Sequence, residues 1–472
     1  MPNMKKRSLA LRLGAVWCRA LLLLTAASGA AQERPVLTIS PLPSAVLNAG
    51  TQTAASTEGV PGISWAELLR RAKSDPPSVL AARAELDRAG AERTYSQVQW
   101  LPTFSGEVSV GYQYDNRLVL PNTPRIDSEA VESRATLGLD WAAFDLARGS
   151  RIDASSAAVR AQGFALQSVQ AKAVVAAAEL YLRARAASAL IDDAQLSLER
   201  RSQQYQAITD LVSAGTRSPV DAQRAKIEVV SAQYALTLRR IEERAVFAAL
   251  AAAVGLPATA LLRPMGDAEA AGRFTITADT AARARALAYE HRAEIRGIRE
   301  RLSASRFEQA AATEARLPTV GAAANGNASY IDVRRGIGVA GPQYGAGAGL
   351  YVRWRGLDPS VWAKAGVAAS EATRVERERD AIVQAVGTEA VAAFYGLERA
   401  RADHQRAVAV LEAAQAAREA QNGRYLAGLA SLLELLDAED LEQEARQRRI
   451  EAQRDEAIKS AQLLAACGML AR

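Results

Sequence analysis

The chain has 472 residues, with 58 Lys and Arg against 52 Asp and Glu, 2 His and 2 Cys, for a formal charge of +6. The five charges in residues 1–30 are all basic, so without that stretch 53 basic residues face 52 acidic ones, and the support for a nucleic-acid partner disappears. Two His with no Cys at ligand spacing argue against a His-based metal centre, and no Gly-rich phosphate loop or nucleophile motif points to an enzyme.

Lys5, Lys6, Arg7, Arg12 and Arg19 precede the apolar run Ala20–Leu24 and the small residues around Ala30. That order predicts a signal peptide over 1–30, cleaved after Ala30 or Ala31, because the apolar run is too short to span a bilayer. Cys18 lies upstream of the cleavage point, so N-terminal lipidation is not indicated. Cys467 is then the sole cysteine and no intrachain disulfide forms. Residues 31–62, rich in Pro, Ser, Thr, Ala and Gly, read as an extended lead-in. Beyond the signal no run of 18 apolar residues occurs, so any membrane crossing is made by β-strands.

A helix is expected over Trp65–Gln99, followed by a strand pair. In residues 103–115 Phe104, Gly106, Val108, Val110, Tyr112 and Tyr114 alternate with Thr103, Ser105, Glu107, Ser109, Gly111, Gln113 and Asp115. In 134–144 Ala135, Leu137, Leu139, Trp141 and Ala143 oppose Arg134, Thr136, Gly138, Asp140 and Ala142. Strict period-2 alternation over roughly 9–11 residues fits a tilted transmembrane strand. Val108, Val110, Leu137 and Leu139 are expected on the lipid face, with Glu107, Ser109 and Asp140 on the lumen face. A long helix over Ile152–Leu211, roughly 90 Å at ~1.5 Å per residue, breaks at Gly215 and returns through Val220–Ala253.

The pattern then repeats. After a Gly- and Pro-bearing belt at 254–279 come a helix over Thr280–Ala315, alternating strands near 319–330 and 344–354, a helix over Glu371–Asn422 and its return over Leu432–Ala466. Trp100-Leu101-Pro102-Thr103 answers Arg316-Leu317-Pro318-Thr319 at an offset of 216, and the break at Ser213–Asp221 answers Leu426–Glu434 at 213. The chain is a duplicated unit, divided here into a first repeat at 63–253, an inter-repeat equatorial linker at 254–279, a second repeat at 280–466 and a tail at 467–472. Four strands with one apolar face leave two edges that lipid forbids. Copies of the chain must close them, two giving eight strands and three giving twelve.

The doubled Leu-Pro-Thr lead, strand pair and helical break resemble the TolC-like outer membrane efflux proteins over about residues 63–467. The resemblance implies an internally duplicated α+β membrane protein: a long α-helical coiled-coil barrel plus a transmembrane β-barrel, with four strands per chain and twelve in a trimer. It further implies a homotrimeric exit duct for tripartite efflux or type I secretion, reached through outer membrane lipid. A periplasmic adaptor (membrane fusion protein) and an inner membrane transporter are the implied partners, with no cofactor, metal or catalytic residue. The alternative from another class is a periplasmic coiled-coil structural or adaptor protein, which would carry one helical hairpin rather than two.

By the same resemblance the tips at Gly215–Asp221 and Gly428–Asp437 form the pore aperture. Tyr425, Glu434 and Asp437 match the family pattern at the second tip and Asp221 at the first, whereas Ala430 stands where the family carries an Arg that pairs with the first-tip acid. Arg217 or Arg424 are the substitutes at hand. Helix capping explains two of the acids equally well, since Ser431/Glu434 is a capping box and Ser218-Pro219-Val220-Asp221 places an acid at N3. No cap requires Asp437.

Overall fold

The computed structural model describes residues 60–117, 126–257, 259–266, 278–335 and 340–470. The expected signal peptide, nearly all of the lead-in and part of the equatorial linker lie outside the described residues. The first repeat runs β1 (Gly62–Ser64), α1 (Trp65–Ala72), α2 (Pro77–Val98), β2 (Thr103–Arg117), β3 (Ile126–Phe144), α3 (Leu146–Ser213) and α4 (Pro219–Ala253). The second runs β4 (Arg263–Met265), α5 (Ala281–His291), α6 (Ala293–Glu314), β5 (Thr319–Arg335), β6 (Gly341–Arg353), α7 (Pro359–Leu426) and α8 (Leu432–Ala466).

Duplication reaches individual hydrogen bonds. α3 and α7 have 68 residues each, α4 and α8 have 35, and α2 and α6 have 22. Asp145 and Asp358 cap α3 and α7, accepting from Ala147 N at 3.1 Å and Ser360 N at 2.9 Å. The Trp141 indole donates to the Trp100 carbonyl as Trp354 donates to that of Arg316, both at 3.0 Å. Thr103 and Thr319 hydroxyls donate to the Asp140 and Arg353 carbonyls, both at 3.1 Å. Gly255 and Gly468, at φ +79° and +74°, close α4 and α8. A Cβ on either would strike the kink between the first two helices of its own repeat, at Asp75 O (2.7 Å) or the His291 carbonyl carbon (2.8 Å).

Four boundaries differ from the sequence reading. The helix expected over Trp65–Gln99 breaks at Lys73–Pro76, because proline lacks the N–H and disfavours helix in the residue before it. Its counterpart over Thr280–Ala315 breaks at Arg292, where no proline or glycine stands. Tertiary contact imposes that break: Gly468 lies against the 291–292 backbone while Arg292 pairs with Glu294 and Glu389, both at 2.9 Å. The long helices start earlier than expected, at 146 and 359, because Asp145 and Asp358 cap them. The linker is less irregular than expected, since β4 pairs in parallel with β1. Beneath that pair sits a core of Leu68, Val174, Tyr181, Phe247 and Leu250, with the Tyr181 hydroxyl donating to Met265 O at 2.7 Å.

The main sheet has order β2-β3-β5-β6, antiparallel throughout, with β2 and β6 at its edges. Register carries the alternation across all four strands. Val108, Ala135, Ala328 and Tyr344 stand in one row, and Glu107, Thr136, Asn327 and Gly345 stand in the next row on the other face. The apolar face is bare, with Val108 81% and Leu350 86% exposed. On the polar face the Tyr351 hydroxyl crosses β5 to Asp140 Oδ1 at 3.0 Å, over Gly321, where a Cβ would lie 2.5 Å from the ring. Among the described residues no helix is long and apolar enough to cross a membrane.

Candidate constriction at the helical tips

Each long helix ends in a Schellman turn. Gly215 at φ +73° and Gly428 at φ +74° take the left-handed position that other residues reach only at a cost of roughly 1–2 kcal/mol. Thr216 N bonds Leu211 O at 3.0 Å, and Leu429 N bonds Arg424 O at 2.8 Å. The return helices start on Ser218 and Ser431 caps. Beneath the tips Leu432, Leu435 and Leu436 bury against Ile208, Ala225 and Tyr425, which locks the first hairpin to the second.

Within this frame the expected aperture residues separate. Tyr425 is buried in the tip cluster with its ring under the Arg217 guanidinium, 4.6 Å from the centroid. Arg217 thus ties the first tip to the second where Ala430 cannot, while Arg424 is exposed. Glu434 is exposed and closes a full capping box: Ser431 N donates to its Oε2 and its own N donates to Ser431 Oγ, both at 3.3 Å. The same oxygen accepts from Gln421 Nε2 at 2.9 Å. Asp221 is half-buried in the first turn of α4. Asp437 is exposed one turn further along α8 and enters no ion pair or hydrogen bond through its carboxylate among the described residues.

Deeper between the hairpins lies a charge lattice that sequence reading did not single out. The Arg201 guanidinium, 9% exposed, binds Glu228 of α4 and Asp440 of α8. Arg446 pairs with Asp193 at 2.9 Å and Glu442 at 2.8 Å, and Arg418 pairs with Glu442 at 2.8 Å. Burial pushes the Asp193 carboxyl above its ordinary range, against the pull of Arg446 and Arg200. Glu439 is raised as well, by burial first, with Arg201 and Arg418 opposing. The sequence signal is Asp193, Ser197 and Arg201 at i, i+4 and i+8, a polar stripe on one face of an otherwise Ala- and Leu-rich helix.

The outer membrane efflux protein family model matches residues 68–256, from within α1 to the residue after Gly255. No curated protein sequence matches the chain. Among solved structures, the outer-membrane channel OprN is 20% identical, covering 86% of this chain and 89% of its own at a TM-score of 0.66. CusC is 16% identical, with 89% and 95% covered and a TM-score of 0.69. The Campylobacter jejuni CmeC outer membrane channel is 13% identical, with 86% of each chain covered and a TM-score of 0.66. In the sequence of its first repeat the chain is similar to the outer membrane efflux protein family, and in the fold of both repeats it is similar to the outer membrane channels OprN, CusC and CmeC.

Proposed function

We propose that three copies of this chain form a passive exit duct, with a shared twelve-strand barrel in the outer membrane and an α-helical tunnel reaching into the periplasm. The observation that carries this is the sheet: four strands in register, a continuous bare apolar face and two open edges. Such a sheet is stable only when lipid covers the face and other strands cover the edges. An even number of antiparallel strands per chain lets β6 of one copy meet β2 of the next antiparallel, which fits closure by copies. A periplasmic adaptor and an inner membrane transporter deliver cargo to the tips for efflux or type I secretion. Membrane fractionation with crosslinking tests the reading: an outer membrane trimer is expected, and a soluble monomer or an outer membrane dimer overturns it.

Asp437 is the residue we assign to the constriction, joined by Glu434 three residues before it on the same helical face. Asp437 is the tip acid with no structural task, whereas Glu434 also serves as a cap. In a trimer the two positions bring six carboxylates toward one axis, a field that favours cations and allows multivalent cations to block. In planar bilayers Asp437→Asn is expected to weaken cation selectivity and block. Unchanged selectivity and block in Asp437→Asn/Glu434→Gln would return both acids to a purely local role.

A further inference from the structure

α6 starts at Ala293, α8 ends at Ala466, and both pack against α3 and α7. Where the two ends approach lies a cleft of 720 Å³, lined by all four helices and within the size of small-molecule sites. Its apolar lining includes Ala176 of α3, Ala392 of α7 and Ala465 of α8. Its charge is not balanced. Lys73, Lys172, Arg292, Arg296 and Lys459 line it against Glu179, Glu294 and Glu389, an excess of two positive charges. The glutamates are already engaged: Arg292 holds Glu294 and Glu389, both at 2.9 Å, and Gln462 Nε2 donates to Glu179 Oε1 at 2.6 Å. Lys172, Arg296 and Lys459 come from three different helices, and among the described residues none of them has a carboxylate within ion-pair distance. Arg296 and Lys459 donate only to neutral acceptors, the Glu290 carbonyl and Gln462 Oε1, both at 3.0 Å. His291, also on the lining, has a buried Nδ1 with no hydrogen-bond partner.

Duplication separates what the fold needs from what this cleft adds. The offset of 216 sets Leu80 opposite Arg296 and Pro76 opposite Arg292, and the offset of 213 sets Val246 opposite Lys459 and Ala385 opposite Lys172. Every counterpart is uncharged, although the helices that carry them have equal lengths. The architecture is therefore built without these charges, and their convergence in one cleft calls for another cause. Like charges held between low-dielectric walls repel one another and concentrate a positive field, which an anion relieves. We propose that the cleft binds a small organic dianion, its acid groups between Lys172, Arg296 and Lys459 and its apolar body on the alanines. Two negative charges match the excess, and each acid group gains charge-assisted hydrogen bonds. All lining residues belong to one chain, so the site does not depend on the duct reading.

Calorimetric titration of the full chain in lipid nanodiscs tests this, with benzene-1,3-dicarboxylate as the probe. Saturable binding of one probe per chain is expected, with Kd below about 1 mM. Benzoate has the same ring and a single charge, and is expected to bind at least about tenfold more weakly. Lys172→Ala, Arg296→Leu and Lys459→Val introduce the residues found at the counterpart positions, which the same helices already accommodate. Each is expected to weaken the dianion at least about fivefold. Gly396→Leu keeps every charge and fills the cleft, since a Cβ there lies 3.7 Å from Lys459 Cδ, and is expected to abolish binding. Arg399→Ala removes a cation that is 87% exposed and outside the cleft, and is expected to change nothing. No saturable binding to the unaltered chain, equal affinity for benzoate, or unchanged affinity in the three charge variants or in Gly396→Leu would overturn the site.

Discussion

Glu434 and Glu439 stand five residues apart on α8 and do opposite things. Glu434 is exposed and holds the Ser431 cap; Gln keeps the acceptor and loses the charge, so Glu434→Gln is expected to weaken the helix start by about 0.3–1 kcal/mol. Glu439 sits beneath the tips, where burial raises its carboxyl above the ordinary 4.5 despite Arg201 and Arg418. In the unfolded chain it loses its proton near 4.5, in the folded chain at higher pH. Between those points the folded state holds more protons, so stability falls as pH rises through the window, and at pH 7 the ionised Glu439 is a cost. Glu439→Gln is expected to raise the thermal midpoint at pH 7 and to make no difference below about pH 4. An unchanged pH profile would mean that the Arg neighbours fully compensate its burial.

Among the elements, the strands were the most legible. Period-2 alternation gave both faces, and all four strands keep it because register aligns like with like. Arg at Val110 is expected to impair barrel assembly by about 2–4 kcal/mol per chain near the bilayer midplane, while Arg at Ser109 is tolerated. Heat-modifiability of the assembled protein on gels reads this out, and equal tolerance at both positions would remove the strands from the bilayer. The breaks at Gly215 and Gly428 were read from the sequence, whereas the break at Pro76 was missed by the single helix expected over Trp65–Gln99, although its proline made it legible. The break at Arg292 was not, because its cause is the distant Gly468 and the ion pairs to Glu294 and Glu389.

At the scale of the whole molecule, the exposed face of α4 and the buried charges between the hairpins respond differently to substitution. Ile227 lies on the bare face of α4, so Ile227→Glu leaves the fold of a single chain intact. If the proposed duct covers this face with a neighbouring copy, burying that carboxylate there is expected to cost about 2 kcal/mol or more and to abolish the SDS-resistant oligomer. Circular dichroism should show unchanged helix content, and survival of the oligomer would mean that no neighbouring copy covers this face. Within the chain, Arg446→Met leaves Asp193 and Glu442 buried with fewer partners, a loss of about 3–5 kcal/mol seen as early thermal separation of the hairpins.

The sequence by itself determined what depends on nearby residues: two copies of one unit, strands that are apolar on one face, helix starts at Ser218 and Ser431, and turns at Gly215 and Gly428. These follow from backbone geometry and side-chain period, which act over a few residues. Tertiary structure decided what depends on residues hundreds of positions apart. It placed Tyr425 in the tip core under Arg217 instead of on an open surface, and it joined Arg201 to Asp440. It also covered α8 while leaving α4 bare. Two repeats with matching elements become unequal once one packs on the other, because each face can be buried only once within a chain.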